Sequence, residues 1–458
     1  MLNSVPKRLR AFRHDKLLRA TGVLAGGAAA AQGIGLLALP LLTRFYSPDD
    51  FSVLAVYVAI LTMAGAVTCM RLDAAIPLPE SDDDAANLLA LALSSTVIVI
   101  VLSGLVVLFF GTSLAAATGR PEIAPYLWLV PFGIGLIGLY SSFQYMAMRQ
   151  KAFPLIARTK ITQSLVGLGS QVVMGWAGVV PLGLLMGHAL MSGAGVVALA
   201  MRSLHRLVGD VSMSAVSWPQ MRQTLYTYRR FPQYSVAEGL SNNAGIHLPI
   251  LLIAAFLVGP EAGLLFLTMR AVGTPMTIVG GAVAQIYYSH AAEYARQGTL
   301  ADETTIVFKR LSRMLVVPML ALGPFAPDVF RITFGPEWER AGIILIIMLP
   351  WYAFRLIASP ISMVMHVRMR QRQMLMMTLA GLALRVLPLL AVLSFAPEQA
   401  TLTFAITSAL FYAAILIVFL AVAGISLQDL MRLMITEMVI WGSVFAAAFA
   451  ILMGIGYA

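Results

Sequence analysis

Four arginines lie inside long apolar stretches of the sequence: Arg44, Arg270, Arg355 and Arg385. A charge placed among apolar residues costs several kcal/mol, so it usually faces an internal cavity or a partner. A guanidinium group offers a fork of N–H donors that matches phosphate oxygens. The pattern therefore indicates a site for an anionic ligand. Each arginine could instead extend to the membrane surface, or pair with a carboxylate or a helix end.

Further polar residues could complete such a site. Arg71 and Asp73 stand two apart at the end of an apolar run, where they could bind ligand or only finish a helix. Another apolar run carries a polar set whose spacing places Glu238, Ser241 and Asn242 along one helical face. This face could bind sugar hydroxyls, or a coupling cation or proton at Glu238. It could equally join two helices by hydrogen bonds. The remaining polar candidates are Asn243, His247 and Gln32.

The composition shows which solvent surrounds these residues. Hydrophobic residues make up 59% of the chain and charged residues 11%, and the mean hydropathy is +0.85. Soluble proteins are about 25% charged, so the sequence predicts an all-α polytopic membrane protein. Crossing the hydrocarbon layer takes about 20 apolar residues. The predicted spans are 22–45, 52–70, 86–110, 123–147, 154–176, 180–201, 233–257, 261–289, 309–332, 338–366, 374–394, 398–423 and, in addition, 433–456.

A recurring turn organises these spans into hairpins. Ser47, Pro48, Asp49 and Asp50 separate two apolar runs. Pro is well tolerated at the first helical position, acids favour the positive end of the helix dipole, and Ser47 is a natural cap. Pro followed by an acid recurs at positions 121, 260, 336 and 397, while Pro181 lacks the acid. Because these turns alternate with the other loops, we expect them on one side of the membrane.

The basic residues indicate which side that is. The chain has a net charge of +10, but 24 of its 31 Lys and Arg lie in the N-terminus and in alternate loops. This asymmetry follows the positive-inside rule. It predicts a cytoplasmic N-terminus and outward Pro-acid turns, and it argues against nucleic-acid binding. The single Cys69 allows no internal disulfide. We find no phosphate-binding loop and no metal-binding motif.

The spans divide into two halves. We predict a basic amphipathic segment at 1–21, a six-helix lobe at 22–201, a basic cytoplasmic linker at 202–232, a second six-helix lobe at 233–423, and an additional helix at 433–456. Repeated bundles around a central site describe many secondary transporters, in which one bundle rocks against the other.

Three stretches carry a resemblance to a known family: residues 41–51, residues 71–79, and residues 334–352 with Ser359 and Pro360. The chain resembles the polysaccharide transporters of the multidrug, oligosaccharidyl-lipid and polysaccharide flippase superfamily, in particular bacterial O-antigen (Wzx-type) flippases. The resemblance implies an inverted-V pair of bundles around a central cationic cavity. It also implies transport of an undecaprenyl-diphosphate-linked oligosaccharide across the inner membrane. Arg44, Arg71, Arg270 and Arg355 are the cavity cations that it supports.

The resemblance implies no cofactor beyond a coupling ion, Na+ or H+. The expected partners are the lipid-linked glycan, membrane lipids, a polysaccharide polymerase and chain-length proteins. Three alternatives stay open: a lipid II flippase, a cation-coupled drug exporter, and a membrane-embedded polyprenyl-phosphate glycosyltransferase. A drug exporter should prefer acidic and aromatic walls, whereas the excess here is Arg. The enzyme would need a large outward loop with acids, and none is predicted, so we expect a transporter.

Overall fold

The structure, a computed structural model, describes residues 7–210 and 216–456, and these residues form helices and turns without any strand. Parts of the predicted N-terminal segment, at 1–6, and of the predicted linker, at 211–215, lie outside the described residues. The α-helices are α1 (Lys7–Phe45), α2 (Pro48–Gly65), α3 (Asp82–Ala117), α4 (Leu129–Arg149), α5 (Phe153–Trp176), α6 (Leu182–Gly193), α7 (Val196–Asp210), α8 (Trp218–Thr227), α9 (Val236–Phe256), α10 (Glu261–Gln297), α11 (Leu300–Leu311), α12 (Val317–Leu322), α13 (Ala326–Phe334), α14 (Glu339–Ile361), α15 (Met363–Val367), α16 (Gln371–Phe395), α17 (Ala400–Ala423) and α18 (Leu427–Gly456).

Twelve helical segments of the described chain are long and apolar enough to cross a membrane. They include Leu427–Gly454 in α18, so the predicted C-terminal span is confirmed. The predicted span 154–176 forms as α5 but is not among the twelve, because polar residues such as Arg158, Lys160 and Gln163 lower its hydropathy. The chain is therefore an all-α, multi-pass membrane protein.

The turn after α1 has the predicted local chemistry. The Ser47 hydroxyl accepts a hydrogen bond from the Asp50 amide at 3.2 Å. The Asp50 carboxylate accepts from the Ser47 amide at 2.8 Å. These reciprocal bonds satisfy two amides that a helix start leaves open. Pro residues also begin the helical segments Pro121–Tyr126, Pro336–Trp338 and Pro397–Gln399.

The chain forms two compact units. The N-terminal unit comprises α1 as far as Ala38, Tyr57–Ala116 and Pro121–Leu240. The C-terminal unit comprises Leu39–Val56, Ala117–Arg120 and the chain from Ser241 onward. Two short segments from the first half of the sequence therefore belong to the C-terminal unit. The predicted six-helix lobes, which are continuous in sequence, stay a prediction.

Close helix contact characterises the N-terminal unit. A Cβ at Gly167 of α5 would lie 2.7 Å from the carbonyl oxygen of Gly187 in α6. Only glycine permits this approach of two backbones. The Tyr140 hydroxyl of α4 lies 2.9 Å from that of Thr159 in α5. These contacts hold α4, α5 and α6 together.

Aromatic and aliphatic side chains fill the C-terminal unit. Phe308, Ile357 and Phe419 are fully or almost fully buried in one core that joins α11, α14 and α17. Trp441 of α18 belongs to the same core, with its ring 5.5 Å from that of Phe354. The C-terminal helix is therefore an integral part of this unit.

Candidate functional site

The Pro-acid turns meet in the C-terminal unit. Arg120, which precedes the second turn, donates to the Asp49 carboxylate at 3.2 Å and also to the Gly259 carbonyl. The Gly263 amide donates to the Ser52 hydroxyl at 2.9 Å. We call Asp49, Ser52, Arg120, Gly259 and Gly263 the turn cluster. It joins the turns at Pro48 and Pro260 through Arg120, the residue before Pro121.

Two more turns join the turn cluster. The ring of Phe51 packs edge-on against Trp338 with centroids 4.9 Å apart. The buried Glu261 carboxylate accepts from Arg340 at 2.7 Å and from Thr401 at 2.8 Å. The turns at Pro336 and Pro397 are thereby fixed to the turn at Pro260. The turns at Pro48, Pro260, Pro336 and Pro397 thus take part in one contact network.

Two of the intramembrane arginines come together in the same unit. Arg385 of α16 is 3% exposed, donates from Nε to the Gly381 carbonyl at 2.8 Å, and lies 4.7 Å from the ring centre of Phe411. Arg355 of α14 lies 5.9 Å from the ring centre of Trp351 and within electrostatic range of Arg385. We call Arg355, Arg385, Trp351, Phe411 and Tyr412 the arginine cluster.

The arginine cluster has more donors than acceptors. Arg385 Nη1 and Trp351 Nε1 are buried and have no hydrogen-bond acceptor among the described residues. The ion pairs found in the described chain involve neither Arg355 nor Arg385. A buried charge without a counter-ion is costly. The cluster can therefore stabilise an anion, and an anion would relieve the repulsion between its two guanidinium groups.

Helix α9 makes room for Arg385. A Cβ at Gly245 would lie 2.5 Å from Arg385 Nη2, so a side chain there would displace the guanidinium group. His247, two residues further along α9, is half-buried, and its Nδ1 is shielded without a partner among the described residues. Glycine at position 245 thus determines where Arg385 lies.

The other predicted arginines occupy three further environments. Arg270 of α10 is half-buried, and none of the ion pairs found in the described chain involves it. Arg44 is exposed, with Nη1 beside Gly335. Arg71 belongs to the N-terminal unit, where it and Met70 have left-handed backbone φ angles of 59° and 50°. Such strain costs about 1 kcal/mol or more per residue and persists only where surrounding contacts maintain it.

Asp73 is buried close to Arg71. Its Oδ2 accepts a hydrogen bond of 2.5 Å from the Ser141 hydroxyl, whereas Oδ1 has no partner among the described residues. Arg71 Nε is also shielded and without a partner among them. Burial, with the nearby Asp73 charge adding to it, raises the pKa of the Cys69 thiol to about 11. Asp73 and Arg71 thus form a polar site in the N-terminal unit.

Comparison with known proteins identifies the family. Residues 41–342, more than half of the chain, match the family described as polysaccharide biosynthesis protein. The chain belongs to this family. No curated protein sequence matches it.

Solved structures show the fold of this polysaccharide biosynthesis protein. The lipid II flippase MurJ in an inward closed conformation is 12% identical, with a TM-score of 0.69 over 95% of this chain and 98% of that chain. A eukaryotic MATE transporter is 15% identical, with a TM-score of 0.56 over 93% and 99%. A Vibrio cholerae MATE transporter mutant is 12% identical, with a TM-score of 0.54 over 88% and 95%. The chain therefore has the fold of these flippase and MATE transporter structures, as predicted.

The polar residues predicted on α9 are less buried than the arginine cluster. Glu238 and Asn242 are exposed, and Ser241 and Asn243 are half-buried and have polar contacts. Gln32 of α1 is half-buried, with a shielded Oε1 that has no partner among the described residues. Among the described residues no group of three His, Cys, Asp or Glu could hold a metal ion. A role in coupling for Glu238 and the other polar residues of α9 and α1 stays a prediction.

Sequence reasoning overlooked one buried acid. Glu437 of α18 is 1% exposed, and its Oε2 accepts a hydrogen bond of 2.6 Å from the Ser312 hydroxyl. Trp441 Nε1 donates to the same Ser312 oxygen at 2.8 Å. Glu437 stands five positions into the predicted span 433–456, and that position was the available signal. The sequence instead favours Glu238 as the acid that could hold a coupling cation or proton.

Proposed function

We propose that this polysaccharide biosynthesis protein is a flippase for a polyprenyl-diphosphate-linked oligosaccharide. The resemblance to Wzx-type flippases makes undecaprenyl diphosphate the expected lipid and an O-antigen or exopolysaccharide unit the expected glycan. A diphosphate with several sugars cannot cross hydrocarbon unaided, because its charges and hydroxyls would lose their hydration. The protein must therefore replace that hydration during transfer.

The arginine cluster is the observation that carries this proposal. Two guanidinium groups lie within electrostatic range of each other in membrane-spanning helices, and none of the ion pairs found among the described residues involves either of them. A diphosphate supplies the missing negative charge and binds the guanidinium fork through paired oxygens. Arg355 is half-buried and so the better placed of the two to contact a ligand. Arg385, fully buried behind an aromatic ring, supplies positive potential.

The turn cluster supports transport by alternating access. Its ion pair and hydrogen bonds fasten segments from both halves of the sequence at the ends that carry the Pro-acid turns. Such contacts can break and re-form as a unit when a transporter changes conformation. We propose that they close the outer side, that the N-terminus is cytoplasmic, and that the membrane is the bacterial inner membrane. The distribution of Lys and Arg supports this orientation.

Lipid II is a second candidate cargo, because the fold is shared with a lipid II flippase. Both cargoes present a lipid diphosphate, so the arginine cluster fits either. A cation-coupled drug exporter fits less well, since the buried charges of the cluster are positive. The sugars, rather than the lipid diphosphate, therefore distinguish the two candidate cargoes.

Complementation tests the proposal. In a strain lacking its own flippase, Arg355→Ala should abolish restoration of surface polysaccharide. Arg355→Lys should restore part of it if charge suffices, and little if the forked geometry is required. The readout is the amount of surface polysaccharide. It is divided by the amount of folded protein, which is measured by gel filtration of the protein solubilised from membranes.

Arg331→Ala is the matched control. Arg331 belongs to the same unit but is half exposed and paired with Asp328 at 2.6 Å. The control should restore surface polysaccharide fully. Full restoration by well-folded Arg355→Ala and Arg385→Ala would remove the diphosphate role. A parallel assay with fluorescent lipid II in proteoliposomes distinguishes the two cargoes.

A further inference from the structure

A polar pocket lies between α11 and the beginning of α18. Its volume is about 570 Å³, and its walls come from α11, the π-helical segment Ser312–Val316, the turn 424–426 and the first turns of α18. We call it the Glu437 pocket after its most buried charged residue. Nothing in the proposed transport mechanism uses it.

The Glu437 carboxylate has one hydrogen-bonded oxygen and one that lacks a donor among the described residues. Oε2 accepts the Ser312 hydrogen bond at 2.6 Å. Oε1 has no hydrogen-bond donor among the described residues, and Arg313 Nη2 is 3.6 Å away, which is long for a hydrogen bond. A buried carboxylate oxygen without a donor is costly. Oε1 is shielded from solvent beside the mostly exposed Arg313 side chain, so a donor from the pocket reaches it by taking the place of that side chain.

Charges of both signs line this pocket. The basic residues are Lys309, Arg313 and Arg432, and the acidic residues are Asp302, Asp429 and Glu437. Among these six residues, the ion pair found in the described chain is the 3.6 Å contact between Arg313 and Glu437. Asp429 accepts from the Ser426 hydroxyl at 2.6 Å as a helix cap. A lining of this kind matches a ligand that carries a positive and a negative group side by side.

The pocket lies where a membrane surface is expected. The spans Leu300–Phe334 and Leu427–Gly454 both begin at its walls. Lipid phosphates and their substituents occupy this level of a bilayer, and basic pockets between helices there bind headgroups. A ligand with adjacent charges at this depth is a phospholipid headgroup.

We propose that the Glu437 pocket binds the headgroup of an aminophospholipid such as phosphatidylethanolamine. The ammonium group takes the place of Arg313 and donates to Oε1 of Glu437, and the phosphate lies against Lys309 and Arg432. A purely anionic headgroup would bring no positive charge to Glu437 and would place two negative groups together. A quaternary ammonium carries the same charge but has no N–H to donate. The inference does not depend on the transported cargo.

Lipid binding to the purified full chain tests the proposal. We compare phosphatidylethanolamine, phosphatidylcholine and phosphatidylglycerol with identical acyl chains, by native mass spectrometry and by the Tm in detergent. Phosphatidylethanolamine should bind about tenfold tighter than phosphatidylcholine, as expected for one hydrogen bond to a charged group. Equal binding of the two lipids by the wild-type protein would overturn the proposal without any variant.

Variants identify the site. Glu437→Gln keeps the acceptor for Ser312 but removes the charge, and it should abolish the preference for phosphatidylethanolamine. Lys309→Ala, at an exposed position, should weaken binding of all three lipids equally. Glu303→Gln, on α11 but lining a different groove, should leave the preference unchanged. A preference that survives Glu437→Gln places the site elsewhere and refutes the assignment.

One further arm separates a lipid from a soluble ligand. Free phosphoethanolamine has the same charges without the acyl chains. It should compete only at concentrations far above those of the lipid. Competition at equal concentrations would show that the pocket takes a soluble solute, and the lipid assignment would fail.

Discussion

Replacing Arg120 by Ala should weaken the turn cluster and favour an open outer side. The Arg120 side chain is nearly buried and bridges Asp49 and the Gly259 carbonyl. These bonds join residues 71 and 139 positions away from Arg120 in sequence. If alternating access separates the turns, both bonds are present in the closed state and absent in the open state. Their loss then changes the equilibrium directly.

The magnitude follows from the exposure of the partners. The Asp49 side chain is 61% exposed, so solvent screening limits the ion pair to about 0.5 kcal/mol. The bond from the guanidinium group to a carbonyl contributes about 1.5 kcal/mol. Together they favour the closed state by about 2 kcal/mol, which corresponds to about a 30-fold change in the open population. Arg120→Lys, which can keep one bond, should fall between.

Cysteine labelling measures the opening. Val53 of α2 is 3% exposed beside the turn cluster, and Val53→Cys changes its volume little. The native Cys69 is buried, and its thiol pKa of about 11 leaves almost no thiolate at neutral pH. A membrane-impermeant maleimide added to intact cells should therefore report on position 53. Adding Arg120→Ala should raise the labelling rate by about 30-fold.

The same reporter defines the result that contradicts the reasoning. Arg331→Ala, which removes a half-exposed arginine paired with Asp328, should leave the labelling rate unchanged. If Arg120→Ala folds normally and labels at the parent rate, the turn cluster is not a closing contact. Position 53 would then stay buried for other reasons.

Three further predictions concern packing, ionisation and buried charge. Gly167→Ala should lower the Tm, since overpacking costs about 1–3 kcal/mol. Gly169→Ala on the same helix should not, because no described atom outside its own helix backbone lies within 4 Å of the added Cβ. Equal Tm values for the two variants would contradict the close approach. The rate of Cys69 alkylation should rise about tenfold per pH unit until the pH reaches the thiol pKa of about 11. Asp73→Asn removes a charge that raises this pKa, so it should speed alkylation at pH 8. An unchanged rate would refute the influence of Asp73. Arg385→Met should raise the Tm, because it replaces an uncompensated buried charge by an apolar side chain. The same loss of positive charge should reduce transport. A lower Tm with full transport would show that Arg385 is structural.

The turns and spans could be predicted because they rest on local rules. A capping serine, a proline and an acid act within a few residues, and hydropathy acts within one helix. The structure accordingly forms the Ser47 cap and the C-terminal span. The hydropathy rule also explains why α5 is not among the twelve spans, since its polar residues lower its mean hydropathy.

The contacts of the site could not be predicted in this way. Arg120 directly precedes a Pro-acid turn in the sequence, but its bond to Gly259 depends on how distant turns pack. Arg385 was a candidate by depth alone, whereas its place beside Phe411 depends on the glycine at position 245. Glu437 stood at the edge of a predicted span, where a charge usually reaches water. Helix packing buries it instead.

Helix α17 relates the three features of the C-terminal unit. Thr401 near its start bonds Glu261 beside the turn cluster, and Phe411 and Tyr412 near its middle belong to the arginine cluster. Gly424 after its end lines the Glu437 pocket. At about 1.5 Å per residue these points are spaced over roughly 35 Å, close to the thickness of the hydrocarbon layer. In the proposed mechanism this order places the closing contact at one surface, positive charge near mid-membrane and the headgroup pocket at the other surface. Because Trp441 contacts both Ser312, which bonds Glu437, and Phe354 beside Arg355, exchanging phosphatidylethanolamine for phosphatidylcholine should also alter transport. That dependence should disappear in Glu437→Gln.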